Sequence, residues 1–431
     1  MIVFCEHITP RLSYAVQELA RRMGISNARI TTQTEDIQHF HGLRINYSTI
    51  DIPQCFQVVP DGLLSEKTLR HEDPEYIHHE EIPLFFPTGG DLSYDVFASL
   101  FWMLSRYEEY ANPVRDPHGR FPFEFSLLYR LGVLDKAVAE HQVAYFLQVL
   151  KQHGWQLETQ AVPAEMLMTI DVDHAWAYRH KSAGLQFLVS TRDLLRGNFQ
   201  LFKRRRRVLN GLEKDPFDTY DFIRASAAGK AKVIFFFLLG DRTKQDRNTH
   251  YAHPALQALI RDLNQWSELG IHPSYFSHDD SGKQKTEIQR LSGITGNPVH
   301  LARFHFLRFR LPDSFRELQQ NGVHRDFSIG YAGHYGFRAG TCLPFLFYDL
   351  PHETTLGLEC IPLAAMDGTL NEYMKLSPEE AKIVSTRLHR EAQQFGAFPV
   401  FLWHNETLSD EGKWKGWRDV FLHQLNLSKA Y

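Results

Sequence analysis

The second half of the sequence opens with MLMTIDVD, residues 166–173, a short apolar segment that contains two aspartates. Six similar segments follow it and alternate with helical patterns, namely KVIFFFLLG (232–240), LGIHPSY (269–275), HLARFHFLR (300–308), FSIGYA (327–332), CIPLAAMD (360–367) and PVFLWHNE (399–406). VIFFFLL shows no alternation of apolar and polar side chains, which is typical of a strand buried on both faces. The pattern therefore predicts an α/β fold, and seven strand candidates predict a distorted (β/α)7-type barrel.

The segments between the strand candidates carry helix signals. HPALQALIRDLNQWSELG (253–270) places its apolar side chains on one helical face, and we expect Gly270 to end that helix. Ser377 and Glu380 have capping-box spacing around Pro378, which predicts the start of another helix. The side chains expected to face inward from that helix are Ile383, Val384 and Leu388.

The first part of the chain has a different pattern. IVFCEHI (2–8) is a strand candidate, and YDVFASLFWMLSRYEEY (94–110) and AVAEHQVAYFLQVLKQHG (137–154) are helical. ANPVRDPHGRFPFE (111–124) has the proline and glycine content of a loop. We predict a separate N-terminal α/β module at residues 1–160, without a recognisable catalytic group, and a barrel at residues 161–431.

The composition of the 431 residues is that of a globular protein. Hydrophobic residues make up 43% and charged residues 23%, which excludes wholesale disorder. The net charge of −4 argues against a nucleic-acid partner. Four cysteines without CxxC spacing argue against a zinc knuckle or a disulfide framework and suit a reducing compartment.

Two features predict a cytoplasmic location. No apolar run approaches the ~18 residues of a membrane span, so we expect no transmembrane segment. The N-terminal residues have no basic region and include Glu6 and His7, which argues against a signal peptide.

Several strand candidates contain, at or near their C-terminal ends, a side chain that can bind a metal or transfer a proton. Catalytic residues of parallel barrels lie at these ends. Asp171 and Asp173 are two positions apart, so an extended strand would turn both carboxylates to the same side. One could bind a cation while the other acts as a base. Alternatively, Asp173 caps the following helix and Asp171 lies in a surface turn.

Histidines occupy comparable positions on other strands. The neutral imidazole of His272 would suit zinc and other divalent metals. His404 follows an apolar strand, and its ordinary pKa of ~6.5 would let it protonate a leaving group at neutral pH. Asn405 can orient His404 or bind substrate. Each histidine could instead be a hydrogen-bonded structural residue.

These residues, in this order, resemble the polysaccharide deacetylase superfamily, the NodB-homology fold also called carbohydrate esterase family four. The resemblance covers roughly residues 165–431. MTIDVDHAW (168–176) is similar to the family's first aspartate motif, and VFLWH (400–404) is similar to its last. ELGIHPSYFSH (268–278) matches the start of its histidine motif. The first half resembles the N-terminal module of a bacterial subgroup.

The resemblance implies a role for each matched residue. Asp171 would be the general base that activates water, and His404 would be the general acid on the leaving amine. Asp173 and His272 would bind a divalent metal. Arg303 lies where the family has an arginine that holds the catalytic aspartate.

One position departs from the family. Its second metal histidine lies four residues after the first, and here Phe276 occupies that place. We expect His305, two residues after Arg303 and on the same strand, to replace it. Asp173, His272 and His305 would then form a three-ligand site with open positions. Zinc is the expected metal, with cobalt, nickel and manganese as alternatives.

Other side chains are expected around the barrel mouth. HYGFRAGTCLPF (334–345) contains a glycine-rich loop in which Arg338 could hold an anion or hydroxyl groups, or lie in a surface turn. Asp367 is expected to orient His404, or to cap a helix or turn. Further residues expected to contact substrate or line the site are Tyr275, Tyr331, Asn405 and Asp326.

A cationic run, KRRRR at residues 203–207, stands outside these motifs. Such runs usually form a solvated helix face. The alternatives are contact with an anionic lipid surface or with a charged glycan.

The residues at the strand ends predict a metal-dependent hydrolase, and the resemblance implies an N-deacetylase acting on an acetylated amino sugar or glycan precursor. The predicted partner is a carbohydrate or amide small molecule, and a cytoplasmic lipid-linked or nucleotide-linked sugar is favoured over cell-wall polymer. Two alternatives remain open: a degenerate barrel that binds glycan without catalysis, and a hydrolase of another C–N bond such as a cyclic amide.

Overall fold

The computed structural model describes residues 1–155 and 165–429. The predicted module boundary at residues 160/161 lies outside the described residues. Among the described residues, no helix combines the length and apolarity that crossing a membrane requires.

Residues 1–155 form an α/β unit. Its strands are β1 (Ile2–Cys5), β2 (Arg29–Thr31), β3 (Arg44–Tyr47), β4 (Phe56–Gln57), β5 (Tyr76–His79) and β6 (Ile82–Phe85). Its helices are α1 (Pro10–Arg22), α2 (Thr34–Gln38), α3 (Val96–Leu104), α4 (Tyr107–Ala111), α5 (Leu127–Arg130) and α6 (Val138–Gln152). The first four strands form a parallel sheet in the order β2-β1-β3-β4, and β5 and β6 form an antiparallel pair.

Residues 165–429 form a second, larger α/β unit. Its strands are β7 (Leu167–Val172), β8 (Lys232–Phe237), β9 (Glu268–Ile271), β10 (Leu301–Ala302), β11 (Arg325–Asp326), β12 (Phe345–Asp349), β13 (Thr354–Cys360), β14 (Leu363–Met366) and β15 (Val400–His404). Its helices are α7 (Ala183–Leu195), α8 (Phe199–Leu209), α9 (Tyr220–Ala227), α10 (Pro254–Leu263), α11 (Ser281–Thr295), α12 (Asp313–Gln320), α13 (Pro378–Gln393) and α14 (Trp417–Asn426).

The nine strands of this unit form one sheet in the order β12-β13-β11-β10-β9-β8-β7-β15-β14. All neighbours are parallel except β12 and β13. The pairings between described strands run from one edge to the other and do not close into a ring. The predicted α/β class and large parallel sheet are therefore confirmed, whereas a barrel is not confirmed.

Strand β8 is almost entirely apolar because side chains pack against both of its faces. Phe235 and Phe237 pack into the main core, between the sheet and the helices. Ile234 and Phe236 point to the other face and pack in a second core that also contains residues of β10, β14 and β15. Because both faces are covered, every position of the strand favours an apolar side chain.

Several local predictions need correction. FSIGYA is not a strand, and β11 ends just before it. The β12–β13 hairpin was not predicted. Helix α10 ends at Leu263, and Gly270 lies in β9, where a Cβ atom would approach the Phe236 ring to 2.5 Å. The capping box of α13 is confirmed, but Ile383 is 69% exposed and does not face inward.

The two units share a continuous apolar core. Helix α1 packs against the β12–β13 hairpin, where the ring centroids of Tyr14 and Tyr348 lie 5.0 Å apart. Arg11 forms an ion pair with Glu353 at 2.6 Å across the same contact. The first unit is therefore packed closely enough to contribute residues to sites in the second.

Candidate active site

The C-terminal end of β7 carries the two predicted carboxylates. Asp171 is buried within the strand and Asp173 follows it, and both line one cavity. In the neighbouring strand, His404 lies directly opposite Asp171. Because alternate strand positions share a side, the spacing turns both carboxylates into the cavity, as predicted. Helix α7 begins only at Ala183, so Asp173 does not cap it.

Asp173, His272 and His305 form a compact cluster. One potential ligand atom from each lies within 4.8 Å of the others. Asp173 Oδ1 is 3.4 Å from His272 Nε2, and Asp173 Oδ2 is 3.3 Å from His305 Nε2. Two ligands of one tetrahedral ion with bonds of about 2.1 Å lie about 3.4 Å apart, so these spacings suit a shared cation. His305 lies in a one-turn helix after β10, not on the strand as predicted.

Hydrogen bonds on the far side of each ring orient both imidazoles. His272 Nδ1 lies 2.5 Å from the Arg303 carbonyl oxygen, and His305 Nδ1 lies 2.9 Å from Asp246 Oδ1. An Nδ1–H that donates to these oxygens leaves an Nε2 lone pair directed at Asp173, which is the tautomer that binds metal. Among the described residues, His272 Nε2 and Asp173 Oδ1 are buried without a hydrogen-bond partner. The donor set and the two orphaned atoms fit a divalent cation.

Charge in the cluster shifts its proton equilibria strongly. Burial alone would raise the pKa of Asp173, but the charge of His305 and the close approach of both imidazoles hold that pKa well below its ordinary value. Burial works against a charged His305, yet Asp173 and Asp246 raise the pKa of His305 to about 9. The cluster therefore attracts positive charge, which a proton or a metal ion can supply.

Arg303 holds Asp171 in place. The guanidinium is fully buried, and its Nη1 donates to Asp171 Oδ1 at 2.9 Å. Its other donors reach the Thr169 hydroxyl at 2.8 Å and the Phe327 carbonyl at 3.1 Å. These bonds fix one carboxylate oxygen and leave Asp171 Oδ2 at 3.6 Å from His272 Nε2, facing the cluster.

His404 and Asp367 form a second pair at the cavity. His404 Nδ1 lies 2.9 Å from Asp367 Oδ1, while Asp367 Oδ2 accepts bonds from the His404 N–H at 2.8 Å and the Thr407 hydroxyl at 2.6 Å. Burial would lower the pKa of His404, but Asp367 and the nearby aspartates raise it well above its ordinary value. His404 Nε2 lies 3.8 Å from Asp173 Oδ2, so a proton on this nitrogen faces the cluster.

A cavity of about 250 Å³ opens onto these groups. Its wall includes Arg120, which comes from the loop of the first unit in which no functional residue was recognised. Arg120 Nε pairs with Asp116 at 2.7 Å, and its Nη1 donates to the Phe306 carbonyl at 3.1 Å. Residues 1–155 therefore supply part of the wall of the candidate site.

Tyr275 and Arg338, two predicted substrate contacts, do not line this cavity. The Tyr275 hydroxyl lies 3.1 Å from His118 Nδ1 of the first unit. Arg338 is buried and forms a bidentate pair with Glu109 of α4, with a shortest distance of 2.6 Å. Its guanidinium is thus neutralised by the other half of the chain, and it lines a neighbouring cavity of about 200 Å³.

The remaining predicted contacts also lie off the cavity. Asn405 is buried, and its amide donates to the carbonyls of His174 and Phe217 at 3.0 and 2.8 Å, which ties the strand end to the loop after β7. Tyr331 lines a neighbouring cavity of about 200 Å³, which Arg120 also lines. Asp326 is fully buried and does not line the cavity.

Among the residues at the site that the sequence analysis did not identify, Asp246 and Arg120 have the clearest structural roles. Asp246, which orients His305, lies in the loop after β8, where its only signal is an acid beyond the end of a predicted strand. Arg120 lies in a loop distant in sequence from every motif, and no local pattern connects it to the cluster.

Comparison with known proteins gives one family-model match. A model described as a family of unknown function (DUF7033) matches residues 1–155. No curated protein matches the sequence.

Solved structures match about three fifths of this chain at low identity. A candidate polysaccharide deacetylase from Mycobacterium smegmatis is 12% identical, with a TM-score of 0.39, over 62% of this chain and 89% of that chain. A candidate glycoside hydrolase/deacetylase from Parabacteroides distasonis is 11% identical, with a TM-score of 0.36, over 62% of this chain and 65% of that chain. A mutant of a CE4-family pseudoenzyme with restored activity is 12% identical, with a TM-score of 0.27, over 61% and 65%. This chain is thus similar to a family of unknown function over residues 1–155 and distantly similar to structures described as polysaccharide deacetylases.

Proposed function

We propose that this protein is a metal-dependent hydrolase that removes the N-acetyl group of an acetylated amino sugar or glycan precursor. The observation that carries the proposal is the cluster of Asp173, His272 and His305, with an anchored carboxylate and an anchored imidazole beside it. The order of the motifs along the sequence supports the same reaction.

A divalent ion would be held by a carboxylate oxygen of Asp173 and by Nε2 of His272 and His305. One carboxylate and two imidazoles suit zinc first, with cobalt, nickel or manganese as alternatives. Such an ion would polarise the amide carbonyl and make water more acidic.

Asp171 is placed to accept the proton of the attacking water. Arg303 binds its Oδ1, which leaves Oδ2 facing the cluster as the free basic oxygen. Because the base is already held in one orientation, no conformational entropy is lost in ordering it at each turnover.

His404 is placed to protonate the departing amine. Its Nδ1 is engaged by Asp367, and the raised pKa keeps a proton available on Nε2 at neutral pH. Amide hydrolysis needs this proton, because an unprotonated amine anion is a very poor leaving group.

The cavity wall suits a sugar. Tyr373 and Trp414 present aromatic rings, while Glu372 and Glu406 add carboxylate acceptors for hydroxyl groups.

The test measures metal content and acetate release in the same preparations. We expect stoichiometric divalent metal in the purified protein and acetate release from N-acetylated amino sugars, with no turnover of cyclic amides. Asp171→Asn should retain the metal and lose about 10²- to 10⁴-fold in turnover. Asp241→Asn, at an exposed carboxylate after β8, is the matched control and should be unchanged.

Three results would contradict the proposal. Absence of bound metal together with glycan binding would identify a non-catalytic binding protein. Turnover of cyclic amides alone would place the substrate in another class. Unchanged acetate release by Asp171→Asn would remove Asp171 from the role of base.

A further inference from the structure

The segment from Phe187 to Leu212, which includes α7 and α8, exposes an unusual amount of apolar surface. Of the 19 large apolar side chains that are exposed among the described residues, eight lie in this segment. They are Phe187, Leu188, Leu194, Leu195, Phe199, Leu201, Leu209 and Leu212. Such a concentration in one short segment indicates a surface that contacts something other than water.

Helix α7 carries its apolar face outward. Phe187, Leu188 and Leu195 are 75%, 65% and 84% exposed, and their spacing places them on one side of the helix with Leu194. Asp193 points the other way, is buried, and pairs with Arg205 of α8 at 2.6 Å. The helix is therefore inverted relative to an ordinary surface helix, because its acid faces the protein while Leu188, Leu194 and Leu195 face outward.

The same segment is strongly cationic. Residues 187–212 contain seven arginine and lysine side chains and a single acid, Asp193, which gives a net charge of +6. The whole chain carries −4, so the remaining residues together carry −10. Positive charge is therefore concentrated on the hairpin of α7 and α8.

Some of these cationic side chains form ion pairs within the protein, and others do not. Arg204 pairs with Glu213 at 2.8 Å and also with Glu411, and Arg205 pairs with Asp193. Arg196, Lys203 and Arg206 are exposed, and no ion pair to another described residue involves them. Three cations beside an exposed apolar face are thus available to an external anion.

We propose that the α7–α8 hairpin docks on the surface of an anionic lipid bilayer. The apolar face of α7 would enter the boundary between headgroups and acyl chains, and Arg196, Lys203 and Arg206 would contact lipid phosphates. Apolar burial and attraction to anionic headgroups act together in such interfacial helices. This inference does not depend on the proposed reaction.

Charge argues against a second copy of the chain as the occupant. A symmetric dimer through this hairpin would place the same surface of both copies together. Each copy brings the unpaired cations Arg196, Lys203 and Arg206, and like charges across an interface oppose association.

The hairpin is also tied to the candidate active site. Glu411, the partner of Arg204, lies in the loop after β15, and Trp414 of the same loop lines the cavity. Helix α7 follows the strand that carries Asp171. Docking of the hairpin would therefore hold this end of the sheet close to the bilayer, where a lipid-linked substrate would be found.

The test is sedimentation of the full chain with vesicles. We expect binding to vesicles of phosphatidylcholine mixed with phosphatidylglycerol, little binding to phosphatidylcholine alone, and weaker binding in high salt. The triple variant Phe187→Ser, Leu188→Ser and Leu195→Ser should lower the partition coefficient by on the order of 100-fold. The double variant Lys203→Glu and Arg206→Glu should lower it by on the order of 10-fold or more.

Matched controls change the same residue types elsewhere. Ile383→Ser alters a comparably exposed apolar side chain on α13, and Lys285→Glu with Arg390→Glu reverses two exposed charges on other helices. Both controls should bind as the unaltered chain does. Circular dichroism establishes that every variant is folded.

The outcomes separate the possible occupants. Failure of the unaltered chain to bind anionic vesicles overturns the proposal, and so does equal binding by folded hairpin variants. Loss of a dimer in the triple variant, without any vesicle binding, would instead identify the hairpin as an interface between copies. Retention on a nucleic acid but not on vesicles would likewise overturn it.

Discussion

Two regions of this molecule bury charged side chains among apolar ones, and they differ in how completely the charges are paired. Between the two units, Glu109 accepts bonds from both Arg106 and Arg338, and the shortest distance is 2.6 Å. Burial alone would raise the pKa of Glu109, but the two guanidinium groups lower it to about 2. At the cavity, Asp173 and His272 retain buried polar atoms without partners.

The difference separates a structural network from a binding site. A buried polar atom without a partner costs about 1–3 kcal/mol, so folding alone favours networks like that of Glu109. The unpaired atoms around Asp173 would be completed by the divalent ion that we propose there. Variants in each region should therefore affect different properties.

The largest effect is expected for Asp173→Ala. Loss of the carboxylate should abolish stoichiometric metal binding and lower acetate release by on the order of 10⁴-fold or to background. The free energy of unfolding of the metal-free protein should fall as well, because His305 loses the buried carboxylate that faces its Nε2 and keeps only Asp246. Elemental analysis, acetate assays and urea titration measure the three quantities. Retained metal would show that Asp173 is not a ligand.

Glu109→Gln should instead destabilise the fold and leave metal binding intact. It leaves Arg338 buried without a carboxylate partner, while Arg106 keeps its pair with Glu108 at 2.7 Å. The substitution should lower the free energy of unfolding by about 3–5 kcal/mol while the folded fraction still binds metal. Glu66→Gln breaks the half-buried pair with Arg70 and should cost less than about 1 kcal/mol. Equal effects of the two variants in urea titrations would show that the buried ion pairs between the units stabilise the fold no more than the half-buried pair of Glu66 and Arg70 does.

Asp326 allows the effect of burial to be tested by pH, because burial favours the neutral form of its carboxyl group. Burial raises its pKa from 3.8 to about 7, against the bonds from Ser328 and the charge of Arg303. The folded state thus keeps a proton that the unfolded state releases. The free energy of unfolding should therefore fall as pH rises from about 4 to about 7, by roughly 1.4 kcal/mol per pH unit at most.

Asp326→Asn should remove that part of the fall, whereas the exposed Asp262→Asn on α10 should not. Urea titrations over a pH series measure the slopes. Parallel profiles for Asp326→Asn and the unaltered chain would show that Asp326 is not kept neutral by burial.

The smallest effect is expected for Arg120→Ala. This side chain lines the cavity but also pairs with Asp116, so its loss should raise KM by up to about 10-fold and leave kcat nearly unchanged. Arg115→Ala in the same loop is the control, because Arg115 does not line the cavity. A fall in kcat with unchanged KM would give the first unit a role in chemistry and not in substrate binding.

The candidate site was predictable from the sequence to an unequal degree. Asp171, Asp173, His272, Arg303, His305, Asp367 and His404 lie together at one end of the sheet, as the strand-end pattern predicts. Tyr275, Arg338, Tyr331 and Asn405 lie off the cavity, because each of them is positioned by other parts of the fold. Arg338 shows the reason clearly, since its partner Glu109 lies in the other half of the chain.

The sequence alone determined the parallel α/β sheet and the end of it that gathers acids, histidines and an arginine. These features follow from local rules, because strand alternation and short apolar segments set side-chain direction within a few residues. Only the tertiary structure decided that Asp246 orients His305, that Arg120 reaches the cavity, and that α7 faces outward. Those outcomes depend on contacts between segments far apart in the chain, whose partners no local pattern specifies.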